Sequence, residues 1–148
     1  MHIYFFLAIV VVNTGMDIKS EHLLVELFEC DQDVLQNKVE VESLLVAAAL
    51  AANVTIVQSV FHCYSPQGVT GVVIIEESHL SIHTWPEYGY ASVDFYTCGD
   101  GMPEKALAVI KAGLQAGRTE SIFVDRGQSL EKSAMSIRYH LDENNILA

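Results

Sequence analysis

The sequence predicts an α+β fold, a two-layer sandwich with helices on one face of a mainly antiparallel sheet. Three observations carry this expectation. Val69–Ile75 is a β-rich run, and Tyr90–Cys98 alternates cleanly between two faces. Glu40–Ala52 is rich in Leu, Val and Ala without Gly or Pro, and Glu104–Ala116 sets Leu107, Ile110 and Leu114 at helical spacing. The resulting order, β-α-β-β-β-α-β, joins its central strands by short turns, which makes neighbours antiparallel.

The elements follow in order. His22–Glu29 (HLLVELFE) reads as a strand that ends in a turn at Cys30-Asp31. The helix over Glu40–Ala52 stops at Asn53, a residue suited to the C-terminal cap. Val54–His62 is β-branched and reads as a strand; Ser65-Pro66-Gln67-Gly68 supplies turn chemistry before Val69–Ile75. A strand from His79 runs to the turn Pro86-Glu87-Tyr88-Gly89, and Tyr90–Cys98 follows. Pro103 sits at a first helical position, Gly117 closes that helix, and Thr119–Asp125 returns as a strand. Beyond Gly127 the tail is polar; Ser129–Leu141 is compatible with a helix and carries no assigned role.

Composition narrows the function. At 148 residues the chain holds one domain with a real core, and 51% hydrophobic against 18% charged residues excludes a disordered protein. Eight Lys and Arg against 19 Asp and Glu give a net charge of −11. That charge disfavours nucleic-acid and anionic-membrane partners and suits a cationic small molecule. Cys30, Cys63 and Cys98 are widely spaced and odd in number, which fits neither a disulfide framework nor a zinc site. They point to a reducing, cytoplasmic setting. The apolar run Ile3–Val12 is half the ~20 residues that span a bilayer, and neither a basic lead nor a cleavage site accompanies it. Residues 1–15 are expected to be an N-terminal extension, read first as an over-long start, next as an appended buried strand, and last as an export signal. Residues 16–127 would form the domain and 128–148 a C-terminal tail.

Chemistry-bearing residues concentrate in Glu76–Gly99. On a strand from His79, Leu80 and Ile82 face the core while His79, Ser81, His83 and Trp85 share the other face. The next strand presents Asp94, Tyr96 and Cys98. Joined as a hairpin, the two strands would merge these polar faces into one surface with a base, a thiol and aromatic walls. Taken singly, each residue also reads as an ordinary polar group on a sheet face, and Cys98 as a small buried hydrophobe. A metal site from Glu76, Glu77, His79 and His83 is a further alternative. Strand geometry sets the two histidines roughly 13 Å apart at a ~3.3 Å rise, too far to share one ion without a bend.

Two long stretches identify a resemblance: HLLVELFECD, and VFHCYSPQGVTGVVIIEESHLSIHTWPEYGYASVDFYTCGDG. From His22 to about Gly127 the chain resembles the small prokaryotic S-adenosylmethionine decarboxylase proenzymes, a pyruvoyl-dependent family. The resemblance implies that the Glu77-Ser78 bond cleaves itself. The Ser78 hydroxyl attacks the Glu77 carbonyl, His83 serves as the processing base, and Ser78 becomes a pyruvoyl group that forms a Schiff base with the substrate amine. Cys98 is implied as the proton donor in decarboxylation. Free thiols, with pKa near ~8.5, carry their proton at neutral pH. Tyr64, His83 and Glu87 match the positions that bind the adenine and ribose of S-adenosylmethionine, and the product would donate aminopropyl groups for spermidine. A homodimer of cleaved β and α chains with sites at the subunit interface is also implied.

Two positions depart from the family pattern. Thr70 stands where Ser assists processing; it keeps the hydroxyl but restricts its rotamers. Cys63 stands where Arg is common. The resemblance leaves two alternatives: a pyruvoyl-dependent arginine or ornithine decarboxylase, and an unprocessed, inactive partner subunit. It also places residues 1–15 outside the matching region, with Met16 as the natural start.

Overall fold

Alternating strands pack one face of a sheet against the helices, burying it. The computed structural model describes residues 18–128 and 135–141, so the N-terminal extension and the Ile3–Val12 run lie outside the described residues. Strand β1 (Ile18–Phe28) leads through α1 (Gln32–Gln36) and α2 (Lys38–Ala51) to β2 (Ile56–Cys63), β3 (Val69–Ile75) and β4 (Ser78–Trp85). A 3₁₀ turn (Pro86–Tyr88) precedes β5 (Tyr90–Cys98), α3 (Pro103–Gly113), β6 (Arg118–Gln128) and β7 (Met135–Leu141). The strands form one antiparallel sheet in the order β2-β3-β4-β5-β1-β6-β7. This is the two-layer α+β sandwich expected from the sequence.

Local chemistry sets the helix ends. The Asp31 carboxylate accepts the N–H groups of Asp33 and Val34 at 2.9 and 3.1 Å and starts α1. Asn37 caps α2 by accepting from Val39 and Glu40, and its amide donates back to the Glu40 carboxylate at 2.8 Å. Asn53 takes the left-handed conformation (φ 58°) just past α2, the role expected of it. Helix α3 starts at Pro103 as predicted and ends at Gly113, short of Ala116, because Gln115 turns left-handed (φ 53°).

The core lies between the helices and one sheet face. Leu23, Val25 and Leu27 of β1, Leu80 and Ile82 of β4, and Ala91, Val93 and Phe95 of β5 join Leu45, Ala48, Ala49 and Ile110 in one buried cluster. Gly71 of β3 sits directly opposite Phe61 of β2, and an added Cβ would fall 1.9 Å from the phenyl ring. Gly71→Ala is therefore expected to cost about 1–3 kcal/mol of stability through overpacking. Thermal unfolding of G71A, and of G71A with Phe61→Leu, checks this: the second substitution should recover part of the loss.

The other sheet face has no covering element among the described residues. Leu24, Ile74, Val60, Trp85 and Ile137, one each from five strands, remain 38%, 38%, 51%, 39% and 67% exposed. One expectation is corrected. Met135–Leu141, inside the segment compatible with a helix, is a strand paired along β6 from Arg126↔Met135 to Glu120↔Leu141. Its apolar Met135, Ile137, Tyr139 and Leu141 alternate with Ser136, Arg138 and His140, a period of two rather than 3.6. No described helix is long and apolar enough to cross a membrane.

Candidate active site

The β3–β4 turn is the first of two candidate regions. Ile75 pairs with Ser78, which leaves Glu76 and Glu77 as a two-residue turn. Ser78 carries the strain, at φ 143°, in a region that side-chain-bearing residues rarely occupy. The neighbouring strand β5 ends at Cys98, whose N–H donates to the Glu77 carbonyl oxygen at 3.0 Å. The Cys98 thiol donates to the same oxygen at 3.3 Å. Two donors therefore converge on the carbonyl preceding Ser78, the geometry that stabilises negative charge as it develops on an oxygen. Glu77's own carboxylate accepts from Thr55 N–H at 3.0 and 3.3 Å, and Glu76 N–H donates to Thr55 O at 2.9 Å.

The second region is a cleft of about 370 Å³ at the far end of β4, lined by Tyr64, Gln67, Thr70, His83, Thr84, Trp85 and Glu87. That volume falls within the range of small-molecule sites. Thr70 and His83 are direct cross-strand partners, and the Thr70 hydroxyl lies 3.0 Å from His83 Nδ1. Thr70 thus sets its hydroxyl on the histidine. Gln67 donates to the Glu87 carboxylate at 3.1 Å. Tyr64 meets the His62 ring edge-on at 4.9 Å between centroids, and the Trp85 and His83 rings stand 6.4 Å apart. Tyr64, Thr70, His83 and Glu87, singled out from the sequence, share this cleft. Gln67 carries no sequence signal for a binding role there, because only folding of the Tyr64–Gly68 loop over β4 brings it in, whereas Trp85 shares the β4 face of His83 as expected.

The two regions do not meet within one chain. Ser78 opens β4 and His83 lies five residues along it, roughly 16 Å at ~3.3 Å per residue. β4 and β5 do place His79, Ser81, His83, Asp94, Tyr96 and Cys98 on one hairpin, as expected, through the pairs His79↔Tyr96, Ser81↔Asp94 and His83↔Ser92. The base and the thiol nevertheless stand at its opposite ends. The acidic and histidine residues weighed as metal ligands also disperse: Glu77 to Thr55, His79 toward Asp94 at 3.5 Å, and His83 to Thr70.

Between the two regions lies a polar cluster that the sequence did not reveal, since its members come from β1, β4, β5 and β6. Arg126 Nη1 donates to His22 Nδ1 at 3.3 Å, so the neutral ring carries its proton on Nε2, 3.7 Å from the Asp94 carboxylate. Tyr96 donates to Ser20 at 3.0 Å, and Arg126 lies over the Tyr96 ring. Burial pushes the His22 pKa below its ordinary value; Asp94 opposes this, while Arg126 and His79 add to it. A depressed histidine takes up protons in the unfolded chain first, so stability falls as pH drops below about 6.5. Thermal midpoints between pH 7.5 and 5 should fall less in His22→Gln than in the parent; an equal or steeper fall contradicts this. Elsewhere, burial raises the Cys30 thiol to about 11, and burial together with a hydrogen bond to Glu26 raises Tyr90 to about 12.

Comparison with known proteins shows which family the chain belongs to. The S-adenosylmethionine decarboxylase family model matches residues 21–127. A protein of Thermotoga petrophila described as S-adenosylmethionine decarboxylase proenzyme is 48% identical over 110 residues, covering 74% of this chain and 85% of that one. A Bacillus cereus S-adenosylmethionine decarboxylase proenzyme 1 is 50% identical over 113 residues, 76% and 87% of the two chains. The crystal structure of the adenosylmethionine decarboxylase from Aquifex aeolicus is similar with a TM-score of 0.72 at 37% identity, over 80% of this chain and 98% of that one. On the strength of the shared sequence and the shared fold, the chain belongs to the S-adenosylmethionine decarboxylase family.

Proposed function

We propose that this chain is a self-cleaving decarboxylase that cuts its Glu77-Ser78 bond and then converts S-adenosylmethionine to the decarboxylated aminopropyl donor used in spermidine synthesis. One observation carries the reading: the Glu77 carbonyl accepts both the N–H and the thiol of Cys98 while Ser78 is held at φ 143°. Attack by Ser78 Oγ on that carbonyl carbon breaks the Glu77–Ser78 C–N bond, and the hydroxyl proton passes to the freed amine. The resulting ester joins the Glu77 acyl group to Ser78 Oγ. Removal of the Ser78 α-proton then expels the Glu77 carboxylate from Cβ and leaves dehydroalanine. Tautomerisation, addition of water and loss of ammonia give a pyruvoyl group at position 78, with no external oxidant.

The residues present fit that group, because Ser78 supplies its three carbons and Cys98 stands beside its site. A pyruvoyl carbonyl supplies an electron sink for the pair left behind when CO₂ departs. The Cys98 thiol delivers a proton to the carbon that lost CO₂. Tyr64 and the His83 ring would stack on adenine, and Glu87, held by Gln67, would accept the ribose hydroxyls. The net charge of −11 favours a sulfonium substrate.

Geometry further supports a homodimer. His83 serves as the base only if it reaches a Ser78 some 16 Å from its own (roughly five ~3.3 Å steps). A second copy laid antiparallel on the open sheet face, related by a twofold axis, sets the His83 end of each chain over the Ser78 end of the other. With Thr70 Oγ1 accepting from Nδ1–H, His83 Nε2 keeps the lone pair that a base needs. Leu24, Ile74 and Trp85 on that face favour such burial. The catalytic unit in this reading is residues 16–127.

Release of CO₂ from carboxyl-labelled S-adenosylmethionine tests the activity. The purified protein should release it, lose the activity after borohydride, and leave arginine and ornithine untouched. Release from arginine or ornithine alone would assign the chain to those substrates. An uncleaved chain inert toward all three would make it a partner subunit.

A further inference from the structure

The turn that carries the cleaved bond is built against its own sequence preferences. Two-residue hairpin turns favour Asn-Gly or Gly because their central residues need positive φ. Here the turn is Glu76-Glu77, and the positive φ falls one residue later, on Ser78. A strained residue keeps such a conformation only where its surroundings hold it. The grip comes from Thr55, between α2 and β2: its carbonyl takes Glu76 N–H at 2.9 Å, and its N–H goes to the Glu77 carboxylate at 3.0 and 3.3 Å. Both backbone groups of Thr55 are thus spent on this turn. An ionised acceptor makes the second contact a charge-assisted hydrogen bond.

We propose that the Glu77 side chain is a positioning residue for cleavage of its own peptide bond, holding the turn through Thr55 so that the Glu77 carbonyl stays on the Cys98 donors and Ser78 stays strained. The inference rests on the reading of Glu77-Ser78 as a self-cleaving bond. The carboxylate touches no reacting atom. It acts on the first step, in which Ser78 Oγ adds to the Glu77 carbonyl carbon, the C–N bond breaks and the hydroxyl proton moves to the amine. Breaking that bond frees the φ torsion of Ser78, so strain held in the amide is released in the ester. The grip therefore favours the ester as well as the attack.

The test is the first-order self-cleavage rate of newly synthesised full-length chain, followed by intact mass with and without hydroxylamine, which cuts the ester. Glu77→Ala is expected to slow cleavage about 10- to 100-fold, the range for losing a hydrogen bond to a charged group, and to lower the hydroxylamine-sensitive fraction. Glu77→Gln, which keeps an uncharged acceptor, should fall between Glu77→Ala and the parent. Thermal midpoints of Ser78→Ala and of Ser78→Ala with Glu77→Ala, both uncleavable, should agree within a few degrees. E77A cleaving at the parent rate overturns the proposal. So does an E77A defect matched by a large fall in that midpoint, since the role would then be structural. If E77A does not fold, E77Q carries the test, and a parent-like rate and ester fraction in E77Q overturn it. A parent chain that never cleaves at Glu77-Ser78 defeats the underlying reading instead, and so the two failures are distinguishable.

Discussion

Two inactive variants are expected to rescue one another. In the proposed cleavage Ser78→Ala lacks the attacking hydroxyl and His83→Ala lacks the base that removes the Ser78 α-proton, so each expressed alone is expected to remain uncleaved. Co-expressed at equal levels, they form mixed dimers in which one site joins the intact Ser78 of the H83A chain to the intact His83 of the S78A chain. In those dimers the H83A chain is cut and the S78A chain is not. Random pairing puts about half of the H83A chains in mixed dimers, and about half should be cleaved. The expectation follows from the roughly 16 Å (~3.3 Å per residue) that separate Ser78 and His83 along β4. Cleavage of H83A alone at the parent rate would remove His83 from the reaction. Absence of rescue in verified mixed dimers would place both residues' action within one chain.

Cys98 is expected to produce the second large effect, in two separable parts. Its backbone N–H contacts the Glu77 carbonyl at 3.0 Å whatever the side chain, while the thiol adds a second donor at 3.3 Å. Cys98→Ala should therefore still mature, about tenfold more slowly, because a thiol is a weak donor compared with those of an oxyanion hole. Once matured, it should decarboxylate about 10²–10⁴-fold more slowly for want of a positioned proton donor. Cys98→Ser restores a donor to the carbonyl and should recover the cleavage rate more fully than the decarboxylation rate. Single-turnover decarboxylation by fully cleaved C98A within threefold of the parent would remove the thiol from proton delivery.

Much of this architecture is legible in the sequence, for identifiable reasons. Val69–Ile75 and Tyr90–Cys98 are strands with the bounds read from alternation and turn residues, and Pro103 opens α3 as its fixed φ dictates. What escaped was local structure with a weak signal. Helix α1 has five residues behind an Asp31 cap, too short for periodicity to register. Strand β7 hides in a polar tail, and its alternation involves only seven residues. The site divides in the same way. Ser78, Tyr64, Thr70 and Glu87 are legible only through the motif resemblance, and His83 and Cys98 also through strand alternation, but their grouping into two regions depends on register. The strand arithmetic that separates His79 from His83 also separates Ser78 from His83, and it could have been read from spacing alone. Thr55 could not: it acts only through its backbone, which no side-chain pattern announces. The His22–Asp94–Arg126 cluster was likewise hidden, because His22 stands more than seventy positions from both partners and meets them only when β1 inserts between β5 and β6.

Self-cleavage between Glu77 and Ser78 would give the chain its own electron sink, and intact-mass spectrometry of the purified protein, before and after borohydride, is the sharpest test of it. Two fragments are expected, one ending at Glu77 and the other running from residue 78 to 148, with the second gaining two hydrogens on reduction of a terminal ketone. A single chain of about 16.3 kDa, unchanged by borohydride, would contradict it.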